Sequence, residues 1–372
     1  MNDPYVAVVL PPRESFSPQA TGAVGLLARR LALAPARCPS VVFGLDVAAP
    51  FADVPFRPVR PAWRLGPFAT RYAAGVAGLL AERPPALIEV HNRPEVALAL
   101  AKRFPAVPVI LMFHNDPPGM RRAGTPAERA ALLDRLAGVA TVSDWLRRRF
   151  LDGVAHVCPV TVLPNCIDIT EIPDPPAERD QTILFAGRVV ADKGADIFVR
   201  ACGLALPRLP GWRAEVLGAD RFGPDSADTP FIRALRPEAA SGGVALSGWR
   251  PHPDILAAMA RAAIVVVPSR WAEPFGLAAL EAMACGAALL CSPRGGLAEV
   301  IGDAAVTIDP DDPAALAESI VALASDPARR AALGAAGRAR AQHFDVEQAA
   351  AARAALHRAV LAAWPRAAAR PI

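Results

Sequence analysis

Short, continuous apolar runs separated by stretches of helical periodicity constrain this chain more than any other feature. In the first half they fall at Tyr5–Leu10, Ser40–Leu45, Ala86–Val90, Val107–Phe113, Gly138–Val142 and Val160–Leu163. Runs of this length without polar alternation suit strands covered on both faces, as in a parallel sheet. Between them the pattern predicts helices over Ala23–Leu33, Pro67–Glu82, Pro94–Phe104, Pro126–Ala137 and Asp144–Leu151. Such βαβ alternation gives a doubly wound α/β sheet, in which ligands sit at the carboxyl ends of the strands.

The second half repeats the theme. Strands are expected at Thr182–Gly187, Ala214–Gly218 and Ile264–Val267, with a strand and turn over Val244–Arg250. Helices are expected after Gly194, near Phe275 or Gly276, and over Pro253–Ala263, Leu297–Ile301, Pro313–Ala324, Ala328–Gln342 and Val346–Trp364, the last stopped by Pro365. A chain of 372 residues is long for one core, so two domains are expected, residues 1–170 and 171–345, with a proline-rich linker at Asp174–Asp180. With 53% hydrophobic and 20% charged residues the composition is globular rather than disordered.

Other classes lose ground on composition. Cys38, Cys158, Cys166, Cys202, Cys285 and Cys291 are scattered, without the spacing of a zinc site or a disulfide framework, and read as reduced thiols of a cytoplasmic protein. The first ten residues lack a basic region before their apolar run and read as a strand, not a signal peptide. No apolar run is long enough to span a membrane. Aromatic residues do not interleave with basic ones on a strand, so nucleic-acid binding is not expected. Residues 1–170 carry 19 Lys+Arg against 13 Asp+Glu, a net +6, whereas residues 171–372 carry 21 against 23, a net −2. The basic half suits an acidic acceptor or an anionic membrane surface, or is simply a solvated basic face. Arg147, Arg148 and Arg149 beside Trp145 allow the same two readings.

Several constellations carry chemistry. Arg188 and Lys193 lie five apart after a strand, between Gly187 and Gly194, as a plausible diphosphate clamp. Gly218 ends the next strand, where a glycine lets a ligand approach. After the strand ending at Val267, Glu273 lies in a loop before a helix whose first turn follows Pro274, Phe275, Gly276 and Leu277, and Glu281 lies further along that helix. Free N–H groups of such a turn receive a phosphate or hydroxyl, and the two carboxylates suit the hydroxyls of a sugar and a ribose. The plainer reading is a dipole-favoured Glu273 and a solvated Glu281. In the first half, Gly22 and Gly25 open a helix after a long loop and offer N–H groups to a phosphate, while His91 and His114 each end a strand. For either histidine a structural hydrogen bond is the default. Trp249, before Arg250, either stacks on a base or caps the core.

Residues 265–281 closely resemble the Glu-x7-Glu motif of family four of the retaining glycosyltransferases, which have the GT-B fold of two facing Rossmann-like domains. The run Ala282–Gly286 and then Ser292–Glu299 continues the likeness, as do Gly187–Gly194 and the Leu163–Asp168 run, where Cys166 replaces a glycine. The resemblance implies transfer of a hexose from a nucleotide diphosphate sugar, UDP-linked first and GDP-mannose second, to a glycan or lipid-linked acceptor at the cell surface. It implies that Arg188 and Lys193 neutralise the diphosphate, that Glu273 holds the sugar and Glu281 the ribose, and that His114 contacts the sugar. Gly22, Gly187, Gly218, Trp249, Arg250, Phe275, Gly276 and Leu277 would line the nucleotide sugar. It also implies that residues 346–372 cross back onto the first domain and that domain closure assembles the site. Asn115 and Asp116 would be crevice neighbours. The usual glycine pair near Gly22 is here Gly22 and Ala23. With no metal-binding acidic triad after a suitable strand, no metal or other cofactor is expected. A nucleotide-sugar epimerase or hydrolase on the same fold, or a non-catalytic sugar-nucleotide-binding protein, are the alternatives.

Overall fold

A computed structural model describes every residue except 1–3, 37, 64, 156–158, 222, 224–225 and 368–372, with the side chains of 365–367 also left out; Cys158 therefore lies outside it. The chain forms two compact units, Met1–Cys166 with Val346–Ile372, and Ile167–Asp345.

The first unit holds seven strands: β1 (Val6–Val9), β2 (Ser40–Leu45), β3 (Phe56–Val59), β4 (Leu87–His91), β5 (Val109–Phe113), β6 (Gly138–Thr141) and β7 (Thr161–Val162). They pair in parallel in the order β3-β2-β1-β4-β5-β6-β7. Helices α1 (Ala23–Leu33), α2 (Phe68–Glu82), α3 (Pro94–Arg103), α4 (Pro126–Arg135) and α5 (Asp144–Leu151) connect them. Local chemistry fixes their starts. Thr125 and Glu128 form a reciprocal capping box on α4 with Pro126 in its first turn, and the Ser143 hydroxyl caps α5. β3 is half exposed and contains Pro58, which only a sheet edge tolerates.

The second unit has β8 (Asp180–Ala186), β9 (Arg213–Leu217), β10 (Val244–Gly248), β11 (Ala262–Val267), β12 (Ala288–Cys291) and β13 (Val306–Thr307), all parallel in the order β10-β9-β8-β11-β12-β13. Its helices are α6 (Ala195–Ala205), α7 (Pro230–Ser241), α8 (His252–Arg261), α9 (Leu277–Ala284), α10 (Leu297–Ile301), α11 (Pro313–Ala324) and α12 (Pro327–Ala341). The core interleaves Ile183, Phe185, Ile264 and Val266 of the sheet with Phe198, Leu316 and Ile320 of the helices.

The last helix, α13 (Val346–Ala367), belongs to the first unit and runs on past Pro365 rather than stopping there. Val346, Ala349 and Ala350 pack on Leu27 and Leu31 of α1, and Val360 joins the cluster around Val6, Leu87 and Ile110. A buried ion network adds to this packing. Glu89, fully inside β4, receives hydrogen bonds from Arg353 Nε (2.9 Å) and pairs with His357 Nε2 (2.8 Å), one helical turn apart on α13. Burial alone would raise the Glu89 pKa, but Arg353 and the two histidines bonded to it hold the carboxyl well below its usual range.

Arg353→Ala should therefore destabilise the first unit by about 3–5 kcal/mol, because it strands a buried carboxylate. Replacing both partners, Glu89→Gln with Arg353→Met, should cost distinctly less. Denaturant unfolding followed at the first unit checks this, and a single-variant loss below ~1 kcal/mol would contradict it.

Candidate functional site

In the second unit the strand order reverses between β8 and β11, so the loops leaving these two strands diverge and open a crevice at their carboxyl ends. The loop after β8 carries Gly187, Arg188 and Lys193; the loop after β11 carries Ser269 and Glu273. Backbone contact joins them. Gly194 is left-handed (φ 74°), and a Cβ there would lie 2.0 Å from the Pro268 carbonyl oxygen. Arg270 and Trp271 donate backbone N–H bonds to the Asp192 carbonyl at 2.9 and 3.1 Å. This places Lys193 Nζ against Glu273 Oε1, and the Ser269 hydroxyl donates to the same oxygen at 2.9 Å. Gly295 and Gly296 hold the other side of Glu273, with Gly296 N–H donating to its carbonyl at 2.7 Å. The Arg188 side chain, half-buried on the same loop, makes no hydrogen bond or ion pair with the described residues, although its backbone carbonyl accepts the Val190 N–H at 3.1 Å.

Glu281 is buried in α9, whose first helical residue is Leu277 with Gly276 as cap. It pairs with His252 Nε2 at 2.7 Å, so it is not a solvated helix residue. His252 opens α8 and was not singled out by the sequence; the signal was a histidine in the first helical turn after the Trp249–Arg250 turn. Trp249 is half-buried, Arg250 is exposed, and the Arg250 guanidinium bonds the Trp249 carbonyl.

Three expectations change in their physical basis. Gly218 (φ 138°) is required by the chain itself, since a Cβ would stand 1.8 Å from the Gly187 carbonyl oxygen. Gly276 (φ 101°) likewise gives its missing Cβ's space to Leu297 Cδ1, 2.2 Å away, rather than to a ligand. The Phe275 ring is buried edge-on against Phe344, which leaves only its backbone for recognition.

In the first unit the order reverses between β1 and β4. His91 ends β4 and His114 follows β5, both buried. Asn92, itself left-handed (φ 54°), accepts the backbone N–H of His114 at 2.9 Å and of Asn115 at 3.2 Å. His91 Nε2 meets Glu89 Oε1 at 3.0 Å, and His91 Nδ1 meets His114 Nε2 at 2.9 Å. Glu89, His91 and His114 thus form a buried chain. Its first bond has to be donated by His91, because the ionised carboxylate carries no hydrogen. The next bond joins His91 Nδ1 to His114 Nε2, one ring donating and the other accepting, and Asn165 is a further side-chain hydrogen-bond partner of the His114 ring. Burial, reinforced by His91, lowers the His114 pKa to about 3, against smaller upward effects of Glu89 and Asn165.

Glu89 was legible in principle: an acid two residues before His91 in an apolar strand shares its face. Gly22 departs from expectation, because the Glu14 carboxylate already accepts the N–H groups of Gly22 and Gly25, each at 2.9 Å. Asp116 pairs with Arg149 rather than lying free, and Asp144 pairs with Arg147 and Arg148, so the arginines of α5 are matched by acids. Among the described residues no group of three or more His, Cys, Asp or Glu is placed to hold a metal, and no helix is long and apolar enough to cross a membrane.

Comparison with known proteins gives two consecutive family matches: Glycosyltransferase Family 4 over residues 24–171 and Glycosyl transferases group 1 over residues 168–340. The chain is 34% identical over 267 residues to D-inositol 3-phosphate glycosyltransferase 1 of Catenulispora acidiphila, covering 63% of this chain and 62% of that protein. It is 33% identical over 199 residues to glycogen synthase of Mycobacterium tuberculosis, covering 51% and 45%. The chain thus spans less than two thirds of the length of these relatives. Among solved structures it shares its fold with sucrose-phosphate synthase of Thermosynechococcus elongatus (TM-score 0.78, 21% identity, 96% and 100% covered). It shares it too with Anabaena Alr3699/HepE in complex with UDP and glucose (TM-score 0.76, 20% identity, 94% and 98% covered).

The His114 pKa makes a signed prediction. The folded ring stays neutral from pH 6.5 down toward pH 3, whereas the unfolded ring protonates near 6.5. Stability should be full above pH 6.5 and fall below it by up to about 1.4 kcal/mol per unit, before the carboxylates titrate. Unfolding from pH 7 to 5 should show this limb, and His114→Gln should remove it. Histidine ring 15N spectra should show His114 neutral at pH 5; a charged ring there would contradict the account.

Proposed function

We propose that this chain, which carries in succession the Family 4 and group 1 domains of the GT-B glycosyltransferases, moves a hexose from a nucleotide diphosphate sugar to an acceptor hydroxyl. The observation that carries the reading is the arrangement at the strand-order reversal of the second unit. There Arg188, whose side chain has no partner among the described residues, shares a loop with Lys193, beside Glu273. A departing nucleoside diphosphate develops negative charge as the glycosidic bond breaks. Preset cations lower that barrier more than they stabilise the bound donor. Lys193 serves two partners in this scheme, holding Glu273 in place while offering its remaining hydrogens to the phosphate. Ser269 keeps the Glu273 carboxylate oriented when the lysine is so engaged. Glu273 would accept sugar hydroxyls and Glu281, oriented by His252, those of the ribose. His114, a neutral ring at the end of the Glu89–His91 chain, is proposed to contact a carbohydrate hydroxyl in the first unit's crevice.

The donor is proposed to be a UDP sugar first and GDP-mannose second; the Anabaena complexes with UDP and UDP-glucose support a uridine donor on this fold. The acceptor is proposed to be anionic, on the basic charge of residues 1–170 and the inositol phosphate named for the Catenulispora relative. A cell-surface glycan or lipid-linked sugar made on the cytoplasmic face of a membrane fits that charge. Retention at the anomeric carbon and independence of metal complete the proposal.

Arg188→Ala and Lys193→Ala should each lower transfer by about a hundredfold. Turnover of Lys193→Ala within about threefold of wild type, under ~0.7 kcal/mol of barrier, would overturn the clamp. Activity should persist in excess chelator, and loss restored by magnesium would overturn metal independence. Release of free sugar or an epimer in place of a glycoside would favour the hydrolase or epimerase reading.

A further inference from the structure

The turn between β3 and α2 holds two side chains that folding leaves in water. Trp63 is 99% exposed and Leu65 101%, and Phe68, the first residue of α2, is 48% exposed beside them. The turn is built, not loose. Ala62 exchanges hydrogen bonds with Arg71, its N–H donating to the Arg71 carbonyl at 2.9 Å and its carbonyl accepting Arg71 Nε at 3.1 Å. The Arg60 carbonyl lies where a Cβ of Gly75 would stand, 2.2 Å away. A fixed base therefore presents apolar side chains outward at no gain to the fold.

Charge says what they face. Residues 54–81 contain Arg57, Arg60, Arg64 and Arg71 and no Asp or Glu. Arg57 is matched by Glu82, but Arg60 is exposed with no partner among the described residues. An apolar tip beside Arg60 and Arg71, neither paired with an acid among the described residues, is complementary to a bilayer carrying anionic headgroups, where Trp sits at the interface and arginines meet phosphates. An acidic protein surface would meet the arginines but would leave Trp63 and Leu65 without an apolar phase. The arginines of α5 are the weaker candidate, since Asp144 and Asp116 already match them. Because all strands of this sheet run parallel, the turn after β3 lies at the same edge as His91 and His114.

We propose that Trp63, Leu65 and Phe68, with Arg60, dock the first unit on an anionic membrane surface, with the edge of the sheet that carries His114 turned to it. An acceptor held in that bilayer would then reach the crevice without leaving it. This consequence rests on the proposed transfer reaction, but the docking does not. Two weak signals, an apolar tip and basic charge, act together, so binding should be reversible and salt-sensitive.

Vesicle sedimentation of the full chain tests this without any assay of transfer. Wild type should pellet with phosphatidylcholine vesicles containing about 30% phosphatidylglycerol at low salt, and far less with phosphatidylcholine alone. Trp63→Ser with Leu65→Ser should lower the bound fraction about tenfold at unchanged melting temperature, while Arg148→Gln on α5 should leave it unchanged. If the double variant misfolds, amide exchange of wild type decides, with vesicles expected to protect the segment from Arg60 to Phe68. The proposal is overturned if wild type ignores anionic vesicles, if the double variant binds as well as wild type, or if exchange at this turn is unaltered. A double variant that keeps vesicle binding but loses turnover of a long-chain acceptor would assign the turn to the acceptor's apolar tail instead.

Discussion

The contact between the Gly194 backbone and the Pro268 carbonyl is the constraint on which the second unit's site depends. Parallel pairing of β8 and β11 brings two strand ends side by side, but their loops would part at the reversal of strand order. Closing the gap to backbone distance requires a residue with no Cβ and a left-handed turn, and glycine meets both demands at modest cost. Once the loops meet, Lys193 and Glu273 face each other. Ser269 then bonds the carboxylate, while Gly295 and Gly296 hold the Glu273 backbone. The ion pair is partly open to solvent, so its value to stability is small. Its chemical value is geometric: a cation and a carboxylate held at one strand edge, beside an Arg188 side chain that no described residue engages.

The first unit solves a different problem. A carboxylate inside a parallel sheet is costly unless matched, and α13 supplies the match through Arg353 and His357. That network stands directly behind His91, which in turn bonds the His114 ring. The C-terminal helix thus does more than cover apolar surface. It sets the charge of Glu89, against which His91 and then His114 are held at the crevice.

The architecture was legible because both sheets are built from buried runs, which stand out against helical periodicity. Elements went unseen where burial does not dictate composition. β3 is an exposed edge broken by Pro58, and β13 is two residues long. β12 merges with the apolar end of α9, and α7 opens after a polar stretch and contains Pro237. In the site, residue types and spacing together with the family resemblance identified Arg188, Lys193, Glu273, Glu281 and His114 as candidates. Ser269 and His252 were not legible as partners, because they meet Glu273 and Glu281 only through the fold, as Glu14 meets Gly22. Glycines misled in one respect. Gly218 and Gly276 have no Cβ because Gly187 and Leu297 occupy the space, a demand that a sequence cannot separate from room for a ligand.

A crystal structure of the chain soaked with UDP tests the central claim most directly. The account predicts the diphosphate at the carboxyl ends of β8 and β11, with Arg188 and Lys193 within hydrogen-bond reach of its terminal phosphate and Glu281 on the ribose. A diphosphate bound away from both cations, with the Lys193–Glu273 pair untouched, would contradict it.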